Sequence, residues 1–110
     1  MRIVWSPLAL ERLSEIADYI ARDNPSAAQR WVAQVFRRVG QLERFPERGR
    51  AVPETRRRDI REILYPPYRV IYRLRAAQVA ILTVRHSKQR FSYSEIRPGR
   101  RRGASEARLQ

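Results

Sequence analysis

Arg69, Arg73 and Arg85 are the side chains whose type and spacing could do chemistry, and His86 follows them directly. Tyr68, Val70, Tyr72 and Leu74 alternate with Arg69, Ile71, Arg73 and Arg75, the period of two expected of a β-strand with one packed face and one wet face. Residues 79–84 are aliphatic and β-branched, which predicts a second strand folding back as an antiparallel hairpin through Ala76-Ala77-Gln78. If Arg75 pairs with Val79, Arg69 lies opposite Arg85, with Arg73 beside them, on the face away from the core. Like charges directly opposite are unfavourable in a sheet, so an anion is expected there, and guanidinium suits bidentate contact with phosphate or carboxylate. An imidazole near its ordinary pKa of about 6.5 can give or take a proton at neutral pH. Strict alternation nevertheless puts His86 on the opposite face from Arg85, so it joins the arginines only if the chain twists at the strand end. Glu62 could accept a proton, but it alternates onto the side of Ile60 and Leu64, which favours a structural ion pair.

Those residues need a scaffold, and the chain supplies one in order. Residues 3–5 form a short strand. Ser6-Pro7 then predicts a helix with Ser6 as its N-cap and an apolar stripe of Leu13, Ile16, Ala17 and Ile20, ending near Asp23. Asn24-Pro25 repeats the device for a second helix with the stripe Ala28, Trp31, Val32, Val35, Val39 and Leu42, ending at Phe45-Pro46. Its other face, Arg30, Gln34, Arg37, Arg38 and Gln41, reads as solvated. Two amphipathic helices with almost no loop between them make an antiparallel hairpin. Residues 47–58 read as a crossing loop with a turn at Gly49 and arginines that are mobile unless bound. Residues 60–64 form a further strand before the break at Pro66-Pro67. The expected fold is α+β over 1–96: a helical hairpin packed on a small, mainly antiparallel sheet of about four strands. Residues 97–110, with Pro, Gly and an arginine run, read as a basic flexible tail.

Composition narrows the partners. With 110 residues the chain is one domain, and 43% hydrophobic content makes it globular despite a mean hydropathy of -0.63. Lys+Arg 24 against Asp+Glu 11 gives a net charge of +13, so nucleic acid or an acidic protein is the expected partner. Lys88 is the only lysine. Without cysteine there is no disulfide, thiolate metal site or Cys nucleophile, and one histidine excludes a multi-His metal centre; neither metal nor cofactor is expected. No apolar run approaches the ~20 residues of a membrane span, so no membrane partner and a cytoplasmic location are expected.

The order helix, Asn24-Pro25, helix, then FPERGRAVPE, IREI, YRVIYR and VAILTVRHS resembles the RelE/ParE superfamily of bacterial toxins from type II toxin-antitoxin systems, over residues 3 to about 91. The resemblance implies the same fold and a cognate antitoxin encoded alongside. Such an antitoxin is expected to offer an acidic segment that is disordered when free and folds across the arginine face. Two activities divide the superfamily. A RelE-like member would cleave mRNA on the ribosome, which demands a proton acceptor, a proton donor and cations for the phosphorane. In that reading Arg69 matches the phosphate stabiliser, Arg85 holds the scissile phosphate and His86 transfers a proton. Arg61, Arg73, Lys88 and Arg90 would then bind RNA, with Phe91 and Tyr93 stacking on bases. The lysine pair of RelE-like members has no match, since Arg58 and Arg61 stay protonated. A ParE-like member would instead bind DNA gyrase and cleave nothing, and the two N-terminal helices look more like those of ParE. The endoribonuclease is expected first, gyrase inhibition is the alternative, and a nucleic-acid-binding module acting through Arg100-Arg101-Arg102 is a third reading.

Overall fold

The computed structural model describes residues 1–87. Ser6 and Asn24 open the two helices as their contexts predict. The Ser6 hydroxyl accepts the Ala9 N–H at 3.0 Å, Pro7 takes the first helical position, and α1 covers Pro7–Asp23. Asn24 accepts the Ala27 N–H at 3.0 Å ahead of α2, Pro25–Gly40, while its own N–H donates to the Ile20 carbonyl that α1 leaves unpaired. One residue thus ends one helix and starts the next. α2 stops earlier than the expected Phe45-Pro46, at Gly40, a poor helix former, and passes into a single 3₁₀ turn at Gln41–Glu43.

Five strands form one sheet: β1 (Arg2–Trp5), β2 (Arg50–Ala51), β3 (Ile60–Tyr65), β4 (Tyr68–Leu74) and β5 (Gln78–His86), in the order β1-β5-β4-β3-β2. Every neighbouring pair is antiparallel except β1 and β5, which run parallel with Ile3 opposite Val79. The helices cover one face. Ala9, Leu13, Trp31, Val35, Val39 and Leu42 pack there against Val70, Tyr72, Val79, Ile81 and Val84, each buried Val, Leu or Ile side chain worth ~1.5–3 kcal/mol.

The sequence left the opposite face to water. Instead, residues 52–59 fold across it, and Val52, Ile60 and Ile71 form a second small core with Leu82 against them. The stretch read as a crossing loop also contributes β2, the strand beyond the expected four. Two of its arginines are bound: Arg50 and Arg57 both hold carboxylates.

The hairpin register carries one irregularity. Leu74, not Arg75, lies opposite Val79, yet Arg69 still lies opposite Arg85. Ile71 faces Thr83 while Tyr72 faces Ile81, so Leu82 is an extra residue, a β-bulge that moves the register by one between the two ends.

Candidate functional site

Arg69 is positioned by β4 and Arg85 by β5, as a cross-strand pair. Arg69 is only 7% exposed and is held by two carboxylates, its Nη2 2.9 Å from Glu54 Oε1 and its Nε 2.9 Å from Glu62 Oε1. Glu62, 1% exposed, also accepts a 2.7 Å hydrogen bond from Arg50 Nε on its other oxygen. The expected open arginine face awaiting an external anion is therefore corrected, because the chain supplies the counter-charge itself. The cause is the segment 52–59: once it covers the face, a guanidinium beneath it must be paired. Glu62 is the structural ion pair that its alternation suggested.

Arg73 is similarly engaged. Its Nε lies 3.1 Å from Asp59 Oδ2, and Arg57 grips the same carboxylate through Nε and Nη2 at 3.0 and 2.8 Å. The Arg57 hydrogen bonds, aided by Arg73 and opposed by partial burial, hold the Asp59 carboxyl at a pKa of about 2. Arg61 donates to the carbonyls of Arg58, Glu47 and Gly49, so its guanidinium clamps backbone. Tyr72 completes that corner: its hydroxyl donates to the Pro46 carbonyl at 2.8 Å and accepts the Gly49 N–H at 2.9 Å. Burial pushes its phenol up.

His86 pairs with Tyr68, their rings edge-on at 5.6 Å, and Tyr68 in turn meets Trp31 of α2 at 5.2 Å. It therefore belongs to the helix face, and the strand end does not twist it round to Arg69. His86 and Arg85 both reach a cavity of about 250 Å³ with Arg12, Glu15, Ile16, Tyr68 and Val84; Arg69 does not line it. Lys88, Arg90, Phe91 and Tyr93, and the tail at 97–110, lie outside the described residues.

A second site escaped the sequence reading. The polar row of α2 does not simply face water: Gln34, Arg37, Arg38 and Gln41 form one wall of a groove of about 510 Å³. Arg48, Gly49, Arg50, Glu62, Ile63 and Leu64 form the rest. The Arg38 guanidinium lies 4.4 Å above the Tyr65 ring and reaches the Leu64 carbonyl at 3.4 Å. The local signal was the pairing of Arg37-Arg38 with Arg48-Gly49-Arg50, but nothing short-range says that the two runs meet. Chemically the groove can hold an extended anionic ligand, since its one carboxylate is already shared by two arginines. Among the described residues no group of His, Asp and Glu could hold a metal ion, and no helix is long and apolar enough to cross a membrane.

A family model, "ParE toxin of type II toxin-antitoxin system, parDE", matches residues 3–91. "Putative toxin Y4kP" of Sinorhizobium fredii is 40% identical over 92 residues, 82% of this chain and 92% of that protein. "Toxin RelE2" of Caulobacter vibrioides is 36% identical over 87 residues, 78% of this chain and 94% of its own length. A solved structure from the chromosomal ParDE system of P. aeruginosa superposes with a TM-score of 0.67 at 21% identity, covering 80% of this chain and 97% of the other, a likeness of fold.

Proposed function

Because this chain belongs to the ParE toxin family of type II toxin-antitoxin systems, we propose that it stops its target by binding it, as a DNA gyrase inhibitor, and not by cutting RNA. It is a toxin of such a system and so has a cognate antitoxin. The observation that carries the reading is the state of Arg69. A phosphate stabiliser must present its guanidinium to the substrate, and Arg69 is buried between Glu54 and Glu62. His86, the chain's only histidine, sits on the other face of the sheet against Tyr68. With phosphate binder and proton carrier on opposite faces, in-line attack by a 2′-hydroxyl has no common site among the described residues.

His86→Ala separates the two activities. A general acid or base is worth about 10²–10⁴-fold, so an endoribonuclease would lose that much cleavage, whereas a binding poison should keep its potency within about threefold. Supercoiling by purified gyrase and the 5′ ends of mRNA on translating ribosomes would be followed side by side. Inhibited supercoiling with intact messages, unchanged in His86→Ala, is the expected result. New cleavage ends that vanish in the variant would overturn it and restore the endoribonuclease with Arg85 and His86 as its site.

A further inference from the structure

The cavity of about 250 Å³ between α1 and the end of β5 takes no part in the action proposed on gyrase. Its charged walls come from two elements, Arg12 and Glu15 from α1 and Arg85 and His86 from β5. Arg85 and His86 are consecutive, yet both reach the cavity because the strand ends there. Ile16, Tyr68 and Val84 supply the apolar remainder. The Tyr68 ring is wedged between Trp31 at 5.2 Å and His86 at 5.6 Å, so that wall is held in place. Arg12 is the residue whose state the fold does not account for. Its Nη1 lies 3.1 Å from Glu15 Oε1, but its Nε is buried with no acceptor among the described residues. A buried donor left unpaired is costly, and an ion pair three residues apart with Glu15 56% exposed offsets little of that. The Arg12 side chain is itself 32% exposed, which puts its guanidinium at the cavity mouth, where a small swing would carry the Nε–H to an acceptor inside.

Two guanidiniums and an imidazole thus surround a space whose one carboxylate, Glu15, stands out toward water. Guanidinium forks arriving from two elements suit an oxyanion with several acceptor oxygens, phosphate above all. A bare phosphate would leave the apolar wall uncovered. The volume falls below the ~300–1,000 Å³ of sites for drug-sized ligands, which admits a phosphate with a sugar and little more. We propose that this cavity binds a phosphomonoester, its phosphate held by Arg12, Arg85 and His86 and its sugar lying against Ile16, Tyr68 and Val84. The phosphate belongs either to a free sugar phosphate or nucleotide, or to the end of a nucleic-acid strand. A diester within a strand carries less charge than a monoester at neutral pH and a substituent on each side, so it fits the site worse. The inference is independent of which target the toxin stops, and neither gyrase nor the ribosome enters its test.

Titrating the toxin with ribose 5-phosphate, ribose, and 5′-phosphorylated or 5′-hydroxyl oligouridine, while the Arg12 Nε–H resonance is followed by NMR, tests the site directly. A phosphorylated probe should move that resonance and ribose should not. Arg12→Gln should weaken binding of the phosphorylated probe about tenfold or more, because a charge-assisted contact is lost. Glu15→Gln, which removes the opposing charge, should tighten it about two- to fivefold. Arg22→Gln lies in the last turn of the same helix and outside the cavity; it changes net charge as much as Arg12→Gln and should stay within about twofold. Circular dichroism checks that each variant folds. Movement by ribose 5-phosphate alone would name free small phosphates as the ligand, whereas movement by the phosphorylated and not the hydroxyl oligouridine would name strand ends. A resonance that no probe moves, or that ribose or the hydroxyl oligouridine moves equally, would overturn the proposal. Equal losses in Arg12→Gln and Arg22→Gln would do the same, since they would reduce the binding to general attraction by a basic surface.

Discussion

Removing the Arg69 guanidinium would leave the Glu62 carboxylate enclosed with Arg50 alone, and Arg50 stands largely in water, its side chain 60% exposed. Breaking a buried ion pair by deleting one partner costs about 3–5 kcal/mol, far more than loss of a surface pair. Arg69→Ala should therefore lower unfolding stability by that amount in urea titrations. Arg69→Ala/Glu62→Leu should recover most of the loss, since no charge is then stranded. A single variant as stable as wild type would show that the network carries little structural weight. Loss of toxicity in Arg69→Ala, taken alone, reports a weakened fold and says little about phosphate chemistry. The sequence placed Arg69 opposite Arg85, but from a hairpin in which Arg75 meets Val79; Leu74 meets it instead, and the extra residue at Leu82 brings Arg69 back opposite Arg85. The sequence was silent on Glu54, fifteen residues away, because such a contact is decided by how a loop lies across a sheet.

At the scale of elements, the loop that closes over the second face is anchored by a glycine. A Cβ on Gly49 would lie 2.5 Å from the Glu62 carbonyl, part of the β3 backbone, and 2.7 Å from the Tyr72 hydroxyl, held in place by its own hydrogen bonds. Backbone cannot yield there as a flexible side chain would. Gly49→Ala should cost about 1–3 kcal/mol and loosen β2, seen as a lowered Tm and faster amide exchange at Ala51 and Val52. An unchanged Tm would mean that the approach relaxes at no cost. The helices were legible because their signals are local: Ser6-Pro7 and Asn24-Pro25 each define a cap within a few residues. β2 was not, since a two-residue strand has no period to read, and its partner and its Tyr72 anchor come from later in the chain. The polar row of α2 was read correctly as polar. Its role as a groove wall depends on where β3 ends, which helix periodicity cannot contain.

For the molecule as a whole, a net charge of +13 on 110 residues creates a field that reaches partners before contact. Association with an acidic antitoxin should be fast at low salt and slow by about tenfold or more between ~0.05 and ~0.5 M NaCl, while dissociation changes much less. Stopped-flow mixing measures both rates. An association rate indifferent to salt would mean that the arginine excess plays no part in recognition. Four of the arginines are already paired inside the fold: Arg50, Arg57, Arg69 and Arg73 share Glu54, Asp59 and Glu62. Composition therefore overstated how many arginines are open to a partner, and only coordinates could separate the two populations.

The bulge at Leu82 makes this sheet unevenly tolerant of changes in length. Removing one residue elsewhere in β5 would slide Arg85 toward the helices and Val84 toward the loop, exchanging the two faces beyond the cut. Leu82 is the exception. Without it, Thr83 would still meet Ile71, Val84 would meet Val70 and Arg85 would meet Arg69, and the ladder would become regular. Its loss would forfeit its own packing against Val52, Ile60 and Ile71 and the 3.0 Å hydrogen bond that its carbonyl accepts from the Ser6 hydroxyl. Relatives one residue shorter at this point could keep the β4–β5 register on both sides of the gap, losing a local contact and not the faces of the strand.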